Sequence, residues 1–290
     1  MKRKFIAIFT VLMAMMLCAS PVLADSSSEC LSLGADLSDS EKATVLELLG
    51  VSEEDNYGGR KVITVTNEDE HKYLDSYIDS SKIGTRALSS VLIQEKSFDN
   101  TITVETHNIT YCTEGMYRNA LATAGVKGAN VIVAGPFDMS GTAALVGTIK
   151  AYEEISGDDV DDDVIESSID EVITTGELGE TLDDNEKAEQ LIALAKKELS
   201  KNPDKSEEEV RDIVKEASDT AGVELSDEDI DNVVKLLQRM QESDVDWKNI
   251  KKQSKSIIES FEKAVNSEEA QNLFDKFISW VSDIFEKLSE

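Results

Sequence analysis

Apolar and polar positions along the chain follow two different patterns, and the change between them comes near residue 157. Before that point, helical patterns alternate with short β-branched runs that are typical of strands. The helical patterns cover 38–50, 67–78, 113–124 and 140–155, and the strand patterns cover 61–66, 87–93, 101–106 and 130–135. This order predicts an α/β or α+β mixed N-terminal domain with about four strands packed with helices.

After Gly157 every strong pattern is helical. The first helical pattern, 160–173, is predicted to end at Gly176, because glycine commonly follows the last helical residue. Further helices are predicted at 184–200, 206–221, 226–242, 246–265 and 267–288. The sequence therefore predicts a mixed domain over 25–157 and an acidic all-helical C-terminal region over 158–290.

The first 24 residues have the three parts of a cleavable signal peptide. Lys2, Arg3 and Lys4 precede an apolar stretch over 5–19, and Val22-Leu23-Ala24 places small residues before a cut at Asp25. A membrane anchor or a buried helix is the alternative, but the apolar stretch is shorter than the roughly 20 residues that span a bilayer. We therefore expect a secreted, extracytoplasmic protein of the cell envelope, with no membrane span after cleavage.

The net charge of the chain limits the classes of partner that it can bind. The net charge is −30, from 29 Lys and Arg against 59 Asp and Glu. We do not expect so acidic a chain to bind nucleic acid, because such binding depends on basic side chains that neutralise phosphates. An unknown protein or a cell-wall polymer fits better as a partner, and the acids are compatible with weak divalent-cation association. No metal site is predicted, because Asp159, Asp161 and Asp163 lack the glycine and glutamate that complete a calcium loop.

Two cysteines remain after signal cleavage, Cys30 and Cys112. Outside the cytoplasm an even pair can form a disulfide. The spacing does not show whether the two are close in space, so a disulfide and two free thiols both remain open.

The segment 131–145 is the sharpest local feature of the chain. A buried strand runs into a predicted turn at 136–142 and then into the start of a helix, where free backbone N–H groups can hold an anionic ligand. Asp138, Ser140, Gly141 and Thr142 are the candidate ligand-binding residues in this loop. The alternative is that Ser140 caps the helix and that the small residues allow close packing.

His107 and Asn108 are further candidates for ligand binding, because they follow a predicted strand and are placed at a rim. His107 and Ser140 could serve a hydrolase only if they met within hydrogen-bond reach in a concave pocket. The other histidine, His71, lies on a polar helix face. The chain contains no Gly-x-Ser-x-Gly elbow and no phosphate-binding loop. We therefore assign no catalytic residue and no cofactor.

Several short motifs between residues 31 and 157 resemble the YpuA-like exported proteins of Gram-positive bacteria, a domain-of-unknown-function family (DUF 1002). The motifs are Val65-Thr-Asn-Glu68, Thr113-Glu-Gly-Met-Tyr-Arg-Asn-Ala120, Ala124-Gly125, Pro136-Phe137, Ser140-Gly-Thr-Ala-Ala-Leu145 and Ala151-Tyr-Glu153. The resemblance implies an envelope-associated setting outside the cytoplasm. It implies no catalytic residue.

Together these observations predict an exported, acidic binding or interaction module at the cell envelope. Two alternatives stay open at this point. One is an extracytoplasmic hydrolase with its site near the loop at 136–142, and the other is a structural component of the envelope.

Overall fold

The computed structural model describes residues 29–54, 56–77, 83–96, 100–157 and 159–265, so the predicted signal peptide and the predicted helix at 267–288 lie outside the described residues. The strands are β1 (Glu29–Gly34), β2 (Lys61–Val65), β3 (Ser90–Glu95), β4 (Ile102–Ile109) and β5 (Ala129–Met139). The helices are α1 (Asp39–Leu48), α2 (Asn67–Leu74), α3 (Glu114–Thr123), α4 (Thr142–Ser156), α5 (Asp162–Leu182), α6 (Asn185–Leu199), α7 (Glu207–Ala221), α8 (Asp227–Glu242) and α9 (Trp247–Val265).

The five strands form one mixed sheet in the order β2-β1-β3-β5-β4. The outer pairs, β1 with β2 and β4 with β5, are parallel, while β3 runs antiparallel to both of its neighbours. Helices connect the parallel pairs, since such a connection must cross from one end of the sheet to the other. The predicted fold class, a mixed α/β region followed by a helical region, is confirmed.

The strand predictions were wrong in three places. The sequence pattern did not predict β1, and it placed β3 at 87–93 instead of Ser90–Glu95. The predicted turn at 136–142 is mostly strand, because β5 continues to Met139. Pro136 fits there because neither neighbouring strand pairs with it: pairing with β3 stops at Ala134, and the register with β4 moves from Ala134 directly to Met139.

Each face of the sheet contributes to a separate core. One face packs against α3 and α4, and its core contains Cys30, Ile93 and Val131. The other face packs against α1 through Leu31 and Leu33. A Cβ at Gly147 of α4 would lie 2.6 Å from the Ser32 hydroxyl oxygen, so this glycine allows α4 to approach the sheet closely.

Helix starts agree better with the sequence than helix ends do. Thr113, Asp184, Ser206 and Ser226 each accept a hydrogen bond from the backbone N–H three residues later, which fixes the first turn of their helices. The predicted end at Gly176 was wrong, because α5 continues to Leu182. A Cβ at Gly176 would lie 2.7 Å from the Tyr111 hydroxyl oxygen, so that glycine serves close packing and does not cap the helix.

The helical region has its own core and is joined to the mixed region by buried contacts. Helix α5 contributes to both cores, with Ile165 and Ile169 in one and Leu178 in the other. Asn249 of α9 donates to the carbonyl oxygens of Ala122 and Val126 at 3.2 and 3.0 Å. None of the helices in the described ranges is both long and apolar enough to cross a bilayer.

Both described cysteines are buried free thiols, so the disulfide alternative is not realised in the structure. The strand register explains why. Cys30 pairs with Ile93, which is level with Val131 and, through it, with Val104 of β4. Val104 thus lies three strands away from Cys30, about 14 Å at roughly 4.8 Å per strand, and Cys112 lies further on, beyond the end of β4 at Ile109.

The thiols of Cys30 and Cys112 are expected to be unreactive in the native state, and both are expected to be alkylated after unfolding without reductant. Burial raises the pKa of Cys30 to about 11 and that of Cys112 to about 12, so few thiolates form at pH 8. Mass spectrometry after iodoacetamide treatment, with and without urea and reductant, measures this. A requirement for reductant in the unfolded chain would contradict the expectation.

Candidate functional site

A concave surface of about 260 Å³ lies beside the predicted candidate segment, where α2 and the residues leading into β3 meet the end of β5 and the start of α4. We call it the Phe137 groove. Its lining combines apolar, hydroxyl and charged side chains, namely Glu70, Ile83, Gly84, Thr85, Arg86, Leu88, Ser89, Phe137, Met139, Ser140, Thr142 and Ala143. Sites that bind small ligands typically combine an apolar surface with a few fixed polar groups in this way.

Glu70 is the most buried charged side chain of the groove, with 1% of its surface exposed. Helix α2 places it there because Thr66 and Asp69 form the capping box at the start of the helix. The Glu70 carboxylate accepts hydrogen bonds from the Thr142 hydroxyl at 2.9 Å and from the Asn67 amide at 3.4 Å. Burial raises the pKa of Glu70 from 4.5 to about 7, and these two hydrogen bonds oppose the rise.

A short row of hydroxyl groups leads from Glu70 to the surface. Thr142, which donates to Glu70, lies 3.2 Å from the half-buried Ser140, measured between hydroxyl oxygens. Ser89 on the opposite wall accepts from the backbone N–H of Ala144 at 2.9 Å. The row therefore joins the buried carboxylate to a hydroxyl that a ligand can contact.

Gly141 fixes the turn between Ser140 and Thr142. Its φ angle is +93°, and its carbonyl accepts from the Tyr117 hydroxyl at 2.6 Å. A Cβ at this position would lie 2.8 Å from the same hydroxyl. The alternative in which Ser140 caps the helix is therefore wrong, since Gly141 is the N-cap and makes no side-chain cap bond.

The rim of the groove carries one aromatic ring and one cation. Phe137 is 50% exposed, although it is a large apolar side chain. Arg86 donates to the Glu41 carboxylate at 2.6 Å and to the Asp36 carbonyl at 2.8 Å, so acceptors of the protein already hold its guanidinium. The ring is thus the more available of the two groups for a ligand.

The remaining predicted residues are not gathered at the groove. His107 lies 3.3 Å from Glu105, measured from Nε2 to Oε1, and Asn108 occupies a β-bulge with φ +58°, where its amide donates to the Gly135 carbonyl at 2.9 Å. Asp138 is exposed and does not line the groove. Of the six predicted ligand-binding residues, Ser140 and Thr142 line the groove and Gly141 supports it from behind.

A larger concave surface, of about 340 Å³, lies on the sheet face that α1 leaves partly open. Its polar side chains bond to one another in one row across the strands. Thr103 donates to Asn130 at 2.5 Å, Asn130 to Gln94 at 3.2 Å, and Gln94 to Glu29 at 2.8 Å. Since the row satisfies its own members, this surface is a weaker candidate than the Phe137 groove.

The structure does not bring together the two residues that the hydrolase alternative requires. The hydroxyl of Ser140 bonds to Thr142, and the described contacts of His107 do not include Ser140. Within the described ranges, no three His, Cys, Asp or Glu side chains are grouped so that they could hold a metal ion.

Sequence reasoning missed Glu70, Ser89, Arg86 and Phe137. The helical pattern at 67–78 also offers Asn67 and Glu70 as a cap pair, because they are three residues apart, but Thr66 and Asp69 form the capping box. Because Asp69 is the acidic residue of the capping box, Glu70 is not part of the cap, and its side chain lies on the buried face of the helix.

Comparison with known proteins agrees with the motifs. A family model described as "Protein of unknown function (DUF1002)" matches residues 33–257. The "Uncharacterized protein YpuA" of Bacillus subtilis (strain 168) is 37% identical over 289 residues, which cover 98% of this chain and 97% of the relative. No solved structure matches the chain. The family match and the near full-length relative confirm the resemblance seen in the sequence, and the chain belongs to the DUF1002 family.

Proposed function

We propose that this protein is an exported binding module of the cell envelope and that the Phe137 groove holds its ligand, either a protein or a cell-wall polymer. The observation that carries the proposal is the groove itself, where an exposed aromatic ring stands beside a buried carboxylate and a row of hydroxyls. The signal-peptide pattern at 1–24 supports export, with the working chain beginning at Asp25.

The exposure of Phe137 is the part of this arrangement that folding alone explains least. In the described ranges, Phe137 and Val62 are the large apolar side chains that are exposed, and Val62 lies on the edge strand β2. A ligand that covered the Phe137 ring would remove apolar surface from water, which stabilises a complex by about 25 cal/mol per Å².

The hydrogen bonds near the groove favour binding over hydrolysis. A serine nucleophile needs a base within hydrogen-bond reach. The hydroxyl of Ser140 instead contacts the Thr142 hydroxyl, and His107 contacts Glu105. Among its described contacts the Ser140 hydroxyl has no directly bonded base, and such a hydroxyl suits recognition of a polar group.

Replacement of Phe137 with serine is expected to weaken binding to the envelope about tenfold, because a ligand would cover the exposed half of a side chain whose full burial contributes about 1.5–3 kcal/mol. The measurement has two steps. The full-length chain is expressed in a Gram-positive host to recover a mature form that begins at Asp25. That form is then co-sedimented with isolated cell-wall fragments over a range of concentrations.

Val62→Ser is the matched control, since it removes the other exposed apolar side chain at a place away from the groove. Equal binding of both variants would argue against the groove. Retention of residues 1–24 in a cytoplasmic product would argue against export.

A further inference from the structure

We infer that the ligand of the Phe137 groove carries a primary ammonium group on an apolar body, as a lysine side chain does, and that Glu70 is its counter-ion. This inference rests on the proposed function, because it names the chemistry of the same site. It goes beyond that function by assigning the charge of the ligand and the residue that binds the charged group.

Glu70 is buried without a bonded cation. Glu171, which is also fully buried, pairs with Lys196 at 2.6 Å, and the half-buried Asp170 pairs with Arg239 at 2.5 Å. No ion pair to Glu70 occurs among the residues that the structure describes, and Arg86 is held by Glu41. A buried carboxylate without a partner charge is unfavourable, so a cation from outside would be bound strongly there.

The Glu70 carboxylate also has unused capacity to accept hydrogen bonds. Two carboxylate oxygens offer about four acceptor sites. Thr142 and Asn67 occupy one each, and the Asn67 contact is long at 3.4 Å. The hydroxyl oxygen of Ser140 gives a second acceptor on the way to the surface. An ammonium has three donors and matches this set, whereas a carboxylate or phosphate would be repelled by Glu70.

The apolar lining of the groove and the net charge of the chain favour a ligand with a hydrocarbon stem and a positive charge. Ile83, Leu88 and Met139 can cover a hydrocarbon chain, and the Phe137 ring can attract a cation through its face. The net charge of −30 adds a long-range attraction for cationic partners. A basic side chain with a hydrocarbon stem fits both features.

An ammonium at Glu70 would be coupled to proton release. Burial raises the pKa of Glu70 to about 7, and the ammonium stabilises the charged carboxylate, so binding near or below pH 7 expels a proton. The other titratable groups whose charges interact with that of Glu70 are His71, Asp36, Cys112 and Tyr117. Affinity is therefore expected to rise between pH 6 and pH 8.

The test compares two probes that differ only in the ammonium, Nα-acetyl-lysine methylamide and Nα-acetyl-norleucine methylamide. Each is titrated into the ¹⁵N-labelled mature chain, with NMR shifts of Phe137, Met139 and Thr142 as the readout. The lysine probe is expected to bind at least tenfold more tightly than the norleucine probe. Glu70→Gln should remove that difference. Glu189→Gln should keep it, because Glu189 is also buried and lies outside the groove.

A second readout does not depend on the variant folding. Calorimetry of the wild-type chain with the lysine probe, in two buffers of different ionisation enthalpy, should show release of a proton near pH 6.5. Equal affinities for the two probes, or binding without proton release, would overturn the assignment of Glu70 and leave the groove as an apolar site. If neither probe binds but binding to the cell wall still depends on Phe137, the assignment of an ammonium group to the ligand is overturned and the proposed function is not. Loss of the Phe137 dependence as well would overturn the proposed function.

Discussion

Replacement of Lys196 with methionine is expected to lower the free energy of unfolding by about 3–5 kcal/mol, because it leaves a buried carboxylate without its cation. Lys196 is fully buried, and its ammonium donates to Glu171 at 2.6 Å and to the Asn119 carbonyl at 2.9 Å. Burial lowers the pKa of Lys196, and the Glu171 carboxylate opposes that change. The charged form of Lys196 therefore depends on the Glu171 carboxylate, just as the buried carboxylate depends on Lys196.

Urea unfolding of the wild type and the variant measures this loss. Lys42→Met is the matched control, since Lys42 pairs with Glu53 at 2.6 Å on the surface, where such pairs contribute about 0–1 kcal/mol. The double variant Lys196→Met/Glu171→Met should recover much of the stability, because it removes the unpaired charge as well. A loss for Lys196→Met no larger than that for Lys42→Met would contradict the prediction.

The same ion pair connects the two regions of the chain. Glu171 of α5 also accepts from Thr123 of α3 at 2.5 Å, and Lys196 of α6 reaches the α3 carbonyl of Asn119. Lys196 is fully buried, although the neighbouring Lys197, a residue of the same type, is half-buried. Charged residues in a helical pattern usually mark its solvated face, and only the packing of three helices places this one inside.

Local signals predicted those parts of the fold that local interactions determine. N-caps such as Thr113 and Ser226 need only the backbone N–H three residues later, so their sequence spacing was sufficient. Strand β1 was missed, and β5 was predicted too short, because their limits depend on neighbouring strands that are distant in the sequence. The pairing of Ile109 with Met139 is an example, since it extends β5 beyond Pro136.

Only one wall of the candidate site was predicted from the sequence. Ser140 and Thr142 were found because a strand followed by small polar residues and a helix is a local pattern. The other wall of the groove comes from α2 and the segment before β3, about 70 and 55 residues earlier in the sequence. Glu70 and Ser89 join the site through tertiary packing alone.

Replacement of Glu70 with glutamine is expected to stabilise the protein at pH 8 and to change it little at pH 4.5. The carboxyl has an ordinary pKa of 4.5 and a folded-state pKa of about 7. Between these values the folded chain binds more protons than the unfolded chain, so the free energy of unfolding falls as the pH rises through this window. The loss at the top of the window is about 3 kcal/mol, at 1.36 kcal/mol per pKa unit. Glutamine cannot ionise, and its carbonyl can still accept from Thr142.

The measurement is urea unfolding of the wild type, Glu70→Gln and the exposed control Glu105→Gln at pH 5 and pH 8. Other buried carboxyls with a raised pKa, such as Glu189, titrate in all three proteins, so the difference from the wild type isolates Glu70. A difference that is the same at both pH values would show that Glu70 titrates normally. If the difference grows with pH, the wild-type chain carries a free-energy cost at the wall of the groove, and a cationic ligand bound at Glu70 would offset that cost.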